Sequence, residues 1–307
     1  MAEGPGVGTV RLLRGDARRL DGVAPGSVEL VLTSPPYPMI PQWDEQFRAL
    51  GATSYRAMLD VLADAWRACR RALVPGGLLA VVIGDALRRT EDGFRLWPNH
   101  AATLADAEAA GFRPLPYVLW KKPTNRPNAF LGSGFLPPNA YVTLDCEFVL
   151  LFRNGPLRRF PARDPRRERS RFTRPERDRW FSQVWEDVRG TRQAAPGRRT
   201  GAFPDRLAER LIRMFSVLGD TVLDPFAGTG TTVWAAARLG RSAIGVEWDA
   251  ATYARLCADA GRRGLATGSA SAAGAPPAVP RPEPRGPSAE APGADGCVAR
   301  SPRRPRS

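Results

Sequence analysis

Two segments of this chain combine residue types and spacings that can do chemistry. The first is Thr33-Ser34-Pro35-Pro36-Tyr37. It ends the β-rich run Val28-Glu-Leu-Val-Leu-Thr33, so it falls at the carboxyl end of an expected strand, the edge at which α/β sheets bind ligands. Two prolines stiffen the turn and present the Ser34 hydroxyl and the backbone carbonyls at fixed positions, while Tyr37 offers a flat stacking face. These are the parts needed to grip a planar base and accept hydrogen bonds from its amino group. The second segment is Asp224-Pro225-Phe226-Ala227-Gly228-Thr229-Gly230-Thr231-Thr232. Its glycines stand between an expected strand and an expected helix, where a ligand can approach the backbone closely. It lacks the third glycine of a dinucleotide fingerprint and the lysine of a phosphate-binding P-loop. The next strand ends at Glu247, followed by Trp248. An acid there takes the two hydroxyls of a ribose, and an indole beside it can lie against an adenine. The expected ligand therefore contains adenosine but no pyrophosphate.

The elements that must position these segments are legible as alternating strand and helix signals. Thr53 or Ser54 can cap a helix that carries Tyr55, Leu59, Leu62, Trp66, Cys69 and Leu73 on one face. Pro75-Gly76-Gly77 is expected to stop it, with a strand over Leu78 to Ile83. Further strands fit Tyr117 to Trp120 and Phe148 to Phe152. Pro204 suits the first turn of a helix that faces Leu207, Leu211 and Phe215 inward. A strand over Thr221 to Asp224, a helix from Thr231, a strand over Ser242 to Val246 and a helix from Ala250 complete the pattern. Strands alternating with helices specify an α/β fold with a parallel sheet covered on both faces.

Charge and composition narrow the partner. The 307 residues carry 45 Lys+Arg against 31 Asp+Glu, a formal net charge of +14, and only Lys121 and Lys122 are lysines. A basic chain with no apolar run long enough to span a bilayer is expected to meet a polyanion, nucleic acid first. The charge is concentrated: 15 arginines and six acids lie between Arg153 and Arg199. Beyond residue 265 the chain is dominated by Ala, Gly, Pro and Ser and is expected to be a disordered basic tail. Four scattered cysteines without a CxxC pair, beside a single histidine, argue against a zinc site and for a reducing compartment. Met1 to Gly8 lacks the pattern of a secretory signal, so a cytoplasmic location is expected. His100 and Cys146 read as structural, and Trp180 and Trp185 as core anchors.

The two motifs together resemble those of the amino-methylating DNA methyltransferases, which carry a (D/N/S)PPY motif and a DPFxGxGT motif. The order found here, catalytic motif first, resembles the permuted β group of that family. Gly15-Asp16-Ala17 resembles the family's GD that meets the cofactor adenine. Trp120-Lys121-Lys122-Pro123 resembles its strand-end WxK, Cys146-Glu147-Phe148-Val149-Leu150 its EyvL strand, and Ala202-Phe203-Pro204-Asp205-Arg206-Leu207 its FPxxL helix opening. The histidine often found shortly before that phenylalanine is absent. The likeness covers about Val10 to Ala260.

The resemblance implies a Rossmann-like, doubly wound, mostly parallel sheet with an Arg-rich inserted region. It divides the chain into a catalytic half (1–152), a basic target-recognition region (153–200), a cofactor half (201–265) and the tail (266–307). It implies S-adenosyl-L-methionine as cofactor, held by Asp16, Ala17, Phe203, Asp224, Pro225, Phe226, Gly228, Gly230, Thr231, Glu247 and Trp248. Ser34, Pro35, Pro36 and Tyr37 become catalytic. Ser34 and the Pro35 carbonyl would accept the hydrogens of an exocyclic amine, freeing its lone pair for in-line attack on the sulfonium methyl. Ring-carbon methylation would need a cysteine nucleophile in a Pro-Cys turn, and no cysteine here follows a proline. The partner implied is double-stranded DNA, with room for a cognate restriction endonuclease. Lys121, Lys122, Arg158, Arg159, Arg166, Arg167, Arg169 and Arg171 are the expected DNA contacts. Serine before PPY associates with cytosine N4 and aspartate with adenine N6, so cytosine N4 is the expected target. Adenine N6 is the alternative. An RNA or protein-amide methyltransferase, or an inactive nucleic-acid-binding module, fits the motif order and the intact motifs less well.

Overall fold

Strands destined for the middle of a parallel sheet are apolar on both faces, and Val28–Thr33 is of this kind, with five of its six residues buried. In a computed structural model that describes residues 8–91, 93–122, 137–139, 142–190 and 202–265, this strand lies near the centre of an eight-stranded sheet. In chain order the elements are β1 (Val10–Arg14), β2 (Val28–Thr33), α1 (Asp44–Ala49), α2 (Tyr55–Ala72), β3 (Leu73–Ile83), β4 (Ala86–Thr90), β5 (Gly93–Trp97), α3 (Asn99–Ala109), β6 (Arg113–Lys121) and β7 (Cys146–Arg153). They continue with α4 (Pro165–Arg169), α5 (Arg174–Trp180), β8 (Val184–Trp185), α6 (Asp205–Phe215), β9 (Thr221–Asp224), α7 (Thr231–Arg238), β10 (Ser242–Glu247) and α8 (Ala250–Arg262).

The strand order is β1-β10-β9-β2-β3-β7-β6-β8. β1, β10, β9, β2 and β3 run parallel to their neighbours, and only β7 runs against them. Alternation along β2 sorts the core into two layers. Leu30 and Leu32 pack with Leu207 and Leu211 of α6, Val233 of α7 and Leu256 of α8. Val31 packs with Leu62 and Trp66 of α2 and Ala107 of α3. The sheet is thus covered on both faces, as a parallel sheet must be.

Local chemistry explains most boundaries. Ser54 caps α2 by accepting the Ala57 amide at 3.2 Å, and Asp249 caps α8 through the Thr252 amide at 2.8 Å. Pro204 stands at the amino end of α6. Two expectations change. The Pro75-Gly76-Gly77 stretch does not separate α2 from the next strand; β3 begins at Leu73, and its pairing with β2 shifts between Val28 and Leu30. Gly76 adopts φ +83, and a Cβ there would lie 2.4 Å from the Arg158 backbone nitrogen, so the chain crossing this point requires glycine. The hairpin β4–β5, the helix α3 and the short α4 and α5 were not expected from periodicity. Trp180 and Trp185 are buried, and His100 stacks on Phe148 with its Nδ1 2.8 Å from Asp85, in structural positions as expected. The expected tail over 266–307 lies outside the described residues. Among the described residues no helix is long and apolar enough to cross a membrane.

Candidate active site

Because β10, β9 and β2 are adjacent and parallel, the turns that follow all three open on one edge of the sheet. The two motifs, about 190 residues apart in the chain, are joined there by the Thr33 hydroxyl, which donates to Asp224 Oδ1 at 2.7 Å. Both residues are buried. Asp224 Oδ1 also accepts the Phe226 amide at 3.1 Å, and the neighbouring Thr232 hydroxyl donates to the Leu32 carbonyl at 3.3 Å. Burial outweighs these donors and raises the Asp224 carboxyl to about 6. Asp224 is therefore the buried rivet between the motifs.

The glycine turn leaves β9 with Gly228 at φ +50 and Gly230 at φ +83, and Gly230 caps α7. A Cβ on Gly230 would fall 2.5 Å from the Trp234 ring, which fixes glycine at this position. Glu247 closes the turn from the side. Its Oε2 accepts the Gly228 amide at 2.9 Å and its Oε1 the Asp249 amide at 2.8 Å, and burial raises its carboxyl above the usual range. The half-buried Trp248 follows it. The Gly15 amide bonds the Glu247 carbonyl at 3.0 Å, which brings Asp16 and the buried Ala17 to the same edge. The Asp16 carboxylate is itself gripped by Arg18, Nη2 at 2.6 Å.

Between the motifs lies a cleft lined by Ser34, Trp43, Phe203, Asp224, Phe226 and Gly228, among others. Ser34 Oγ donates to Tyr37 Oη at 3.1 Å, and Tyr37 Oη donates to Glu147 Oε2 at 3.1 Å. Lys122 Nζ contacts Glu147 Oε1. Burial, with the Glu147 charge second, pushes the Tyr37 phenol well above its ordinary value, so it stays protonated. The turn after Tyr37 is clamped by Asn99, whose Nδ2 donates to the Pro38 carbonyl at 2.9 Å and the Gly84 carbonyl at 3.0 Å. Arg88 reaches the Met39 carbonyl and holds Asp44 at 2.6 Å.

The structure gathers Ser34, Pro35, Pro36, Tyr37, Phe203, Asp224, Pro225, Phe226, Gly228, Gly230, Thr231, Glu247, Trp248, Asp16 and Ala17 at this edge. It does not gather the arginines. Arg158 forms a two-pronged ion pair with the buried Asp220, at 2.6 and 2.7 Å, just before β9 begins. Ser170, at the end of α4, accepts the Leu218 amide at 3.0 Å. Arg158, Arg159, Arg166, Arg167, Arg169 and Arg171 therefore stand at the amino-terminal edge of the sheet, opposite the cleft. The reason is topological: β7 runs antiparallel and carries the chain away from the cleft before the Arg-rich stretch starts. Arg166 is paired with Asp164, Arg171 with Glu168, and Arg167 lies over Phe160. Lys121 and Lys122, by contrast, end β6 on the cleft side. Lys121 pairs with the exposed Glu186 at 3.0 Å. Sequence reasoning missed Trp43, Asn99 and Arg88 at the site; each is an ordinary side chain whose position only the fold supplies.

A doubly wound sheet with a rigid Ser-Pro-Pro-Tyr turn facing a glycine turn and an acidic strand end defines the class as a nucleoside-cofactor group-transfer enzyme. The DNA methylase family of N6/N4 methyltransferases matches residues 28–256. The type II methyltransferase M.MjaI of Methanocaldococcus jannaschii is 51% identical over 264 residues, 78% of this chain and 87% of that one. The type II methyltransferase M.MthZI of Methanothermobacter thermautotrophicus is 43% identical over 242 residues, 73% of this chain and 68% of that one. A Thermus thermophilus protein assigned as a DNA modification methylase, solved in complex with S-adenosyl-L-methionine, superposes with a TM-score of 0.67 at 38% identity, covering 83% of this chain and 95% of that one. The cytosine-N4-specific PvuII DNA methyltransferase shares the fold, with a TM-score of 0.58 at 18% identity, covering 83% of this chain and 88% of that one. The chain belongs to the N6/N4 DNA methylase family and is a DNA methyltransferase.

Proposed function

We propose that the enzyme transfers a methyl group from S-adenosylmethionine to the exocyclic N4 of a cytosine flipped out of duplex DNA. The observation that carries this reading is Ser34 itself. It is the first residue of the PPY turn and lines the cleft beside the glycine turn, locked there through its neighbour Thr33 on Asp224. When bound, S-adenosylmethionine supplies an electrophilic methyl group on sulfur. The residues present fit it: each Glu247 oxygen is bonded to one backbone amide and keeps a lone pair for one hydroxyl of a ribose. Phe203 and Phe226 give the cleft apolar walls, and Asp16, Ala17 and Trp248 would meet the adenine end.

The target amine is a poor nucleophile because its lone pair is conjugated into the ring. Ser34 Oγ and the Pro35 carbonyl accept its hydrogens and draw the nitrogen toward tetrahedral geometry, and fixed positioning supplies much of the rate. Tyr37 stacks on the flipped base and offsets part of the unstacking cost. The serine at this position, a neutral acceptor where the family alternative is an aspartate, supports cytosine N4 over adenine N6.

On this reading the setting is the prokaryotic cytoplasm, and a cognate restriction endonuclease is a natural counterpart. Residues 1–152 act as the catalytic half and 201–265 as the cofactor half. The exposed arginines among the described residues 153–190 bind phosphates by charge alone. The test is to digest methylated DNA to nucleosides and identify the product by mass spectrometry. N4-methylcytosine is expected; N6-methyladenine as the main product would overturn the base assignment.

A further inference from the structure

Glu147 belongs to β7, a strand that contributes to neither motif, yet its carboxylate ends inside the site. The cause is the sheet order. β7 lies beside β3 and antiparallel to it, so the start of β7 reaches the edge where the catalytic turn sits. Glu147 Cγ and the Tyr37 ring converge over the backbone of Gly84, where a Cβ would lie 3.1 Å from Glu147 Cγ and 3.2 Å from Tyr37 Cε2. Any side chain at this position would push Glu147 and Tyr37 aside by a few tenths of an ångström, and Asn99 holds the Gly84 carbonyl in place.

The hydrogen bonds at this point have a fixed direction. A carboxylate can only accept, so the single phenolic hydrogen of Tyr37 goes to Glu147 Oε2. Tyr37 Oη is then left with lone pairs alone on its other side, and Ser34 Oγ donates to it. With its own hydrogen spent on Tyr37, Ser34 turns lone pairs toward the cleft. That is the polarity needed to accept a hydrogen from an amine. Were the chain reversed, Ser34 would point its hydrogen at an amine that also points hydrogens, and the two would repel. Lys122, half-buried and also lying over the Trp120 ring at 4.6 Å, holds the other carboxylate oxygen and keeps Glu147 aimed at Tyr37.

We infer that Glu147 is a positioning residue that sets Ser34 as a hydrogen-bond acceptor through Tyr37, with Lys122 as its anchor. Lys122 thereby serves the active site in place of the DNA contact expected of it. The inference rests on the amino-methylation reading given above.

The experiment is a double-mutant cycle on the full chain with Tyr37→Phe, Glu147→Gln and the pair. Two measurements are made on each variant: urea stability of the ligand-free protein, and kcat for methyl transfer from tritiated S-adenosylmethionine to DNA. A carboxamide at 147 can donate to Tyr37 and reverse the chain without changing its shape. Glu147→Gln is expected to lower kcat on the order of 10²-fold, the scale of a misplaced reacting group, while leaving KM for both substrates within threefold. Glu147→Asp is expected to retain part of the activity, because its carboxylate can still only accept. In the Tyr37→Phe background, Glu147→Gln should have little further effect on kcat, and the two substitutions should be non-additive in stability as well. Active wild-type enzyme with additive effects on kcat, or with kcat unchanged by Glu147→Gln, would overturn the inference alone. Wild-type enzyme that methylates no exocyclic amine would overturn the functional reading and the inference with it.

Discussion

Replacing Asp224 with asparagine tests the claim that this residue is a buried rivet whose charge the fold tolerates at a cost. The carboxyl is almost fully buried and rises from 3.8 to about 6 because desolvation outweighs the Thr33 and Phe226 donors. A folded carboxyl that holds its proton more tightly than the unfolded one supplies stability that is complete below pH 3.8. That stability is lost as the pH rises through about 6. At ~1.4 kcal/mol for each tenfold change in proton affinity, the ionised form costs the folded state ~3 kcal/mol at neutral pH. Asparagine removes the charge and keeps an oxygen for Thr33 and the Phe226 amide, and its amide hydrogens can reach the Thr232 hydroxyl. Asp224→Asn should therefore be more stable than the wild type at pH 7.5. Its advantage should shrink by ~2 kcal/mol at pH 4.5, where the wild-type carboxyl is already protonated in the folded state. Urea denaturation followed by tryptophan fluorescence at the two pH values measures both. An asparagine variant equally destabilised at pH 4.5 and 7.5 would refute the reasoning, because the carboxylate would then be a net stabiliser.

Glu247→Ala should weaken S-adenosylmethionine binding about 10- to 100-fold, the scale of losing hydrogen bonds to a charged acceptor. Isothermal titration measures it, and an unchanged Kd would remove Glu247 from the site. Arg158→Ala should cost about 3 kcal/mol of stability by leaving the buried Asp220 unpaired. DNA affinity and its salt dependence, read by fluorescence anisotropy, should stay unchanged. Weakened DNA binding with intact stability would put Arg158 on the DNA instead.

Much of this enzyme is determined by local sequence. Burial on both faces made Val28–Thr33 a central strand whatever its neighbours, and the proline pair and the glycine pair each fixed a turn at a strand end. The spacing from Asp224 to Glu247 covers one strand–helix–strand unit, so the acid had to emerge beside the glycine turn. What local sequence did not carry is which strands lie side by side. The bond between Thr33 and Asp224 exists because β2 and β9 are neighbours, a pairing set by the packing of helices on both faces and not by any residue near either motif. The same holds for β7, whose antiparallel course does two things at once. It delivers Glu147 to Tyr37 and removes the Arg158–Arg171 stretch to the far edge of the sheet. Charge density along a chain says that a polyanion partner is favoured, since charge acts at a distance and is insensitive to order. Which cations face the cleft is a property of strand direction, and that is decided only when the sheet assembles.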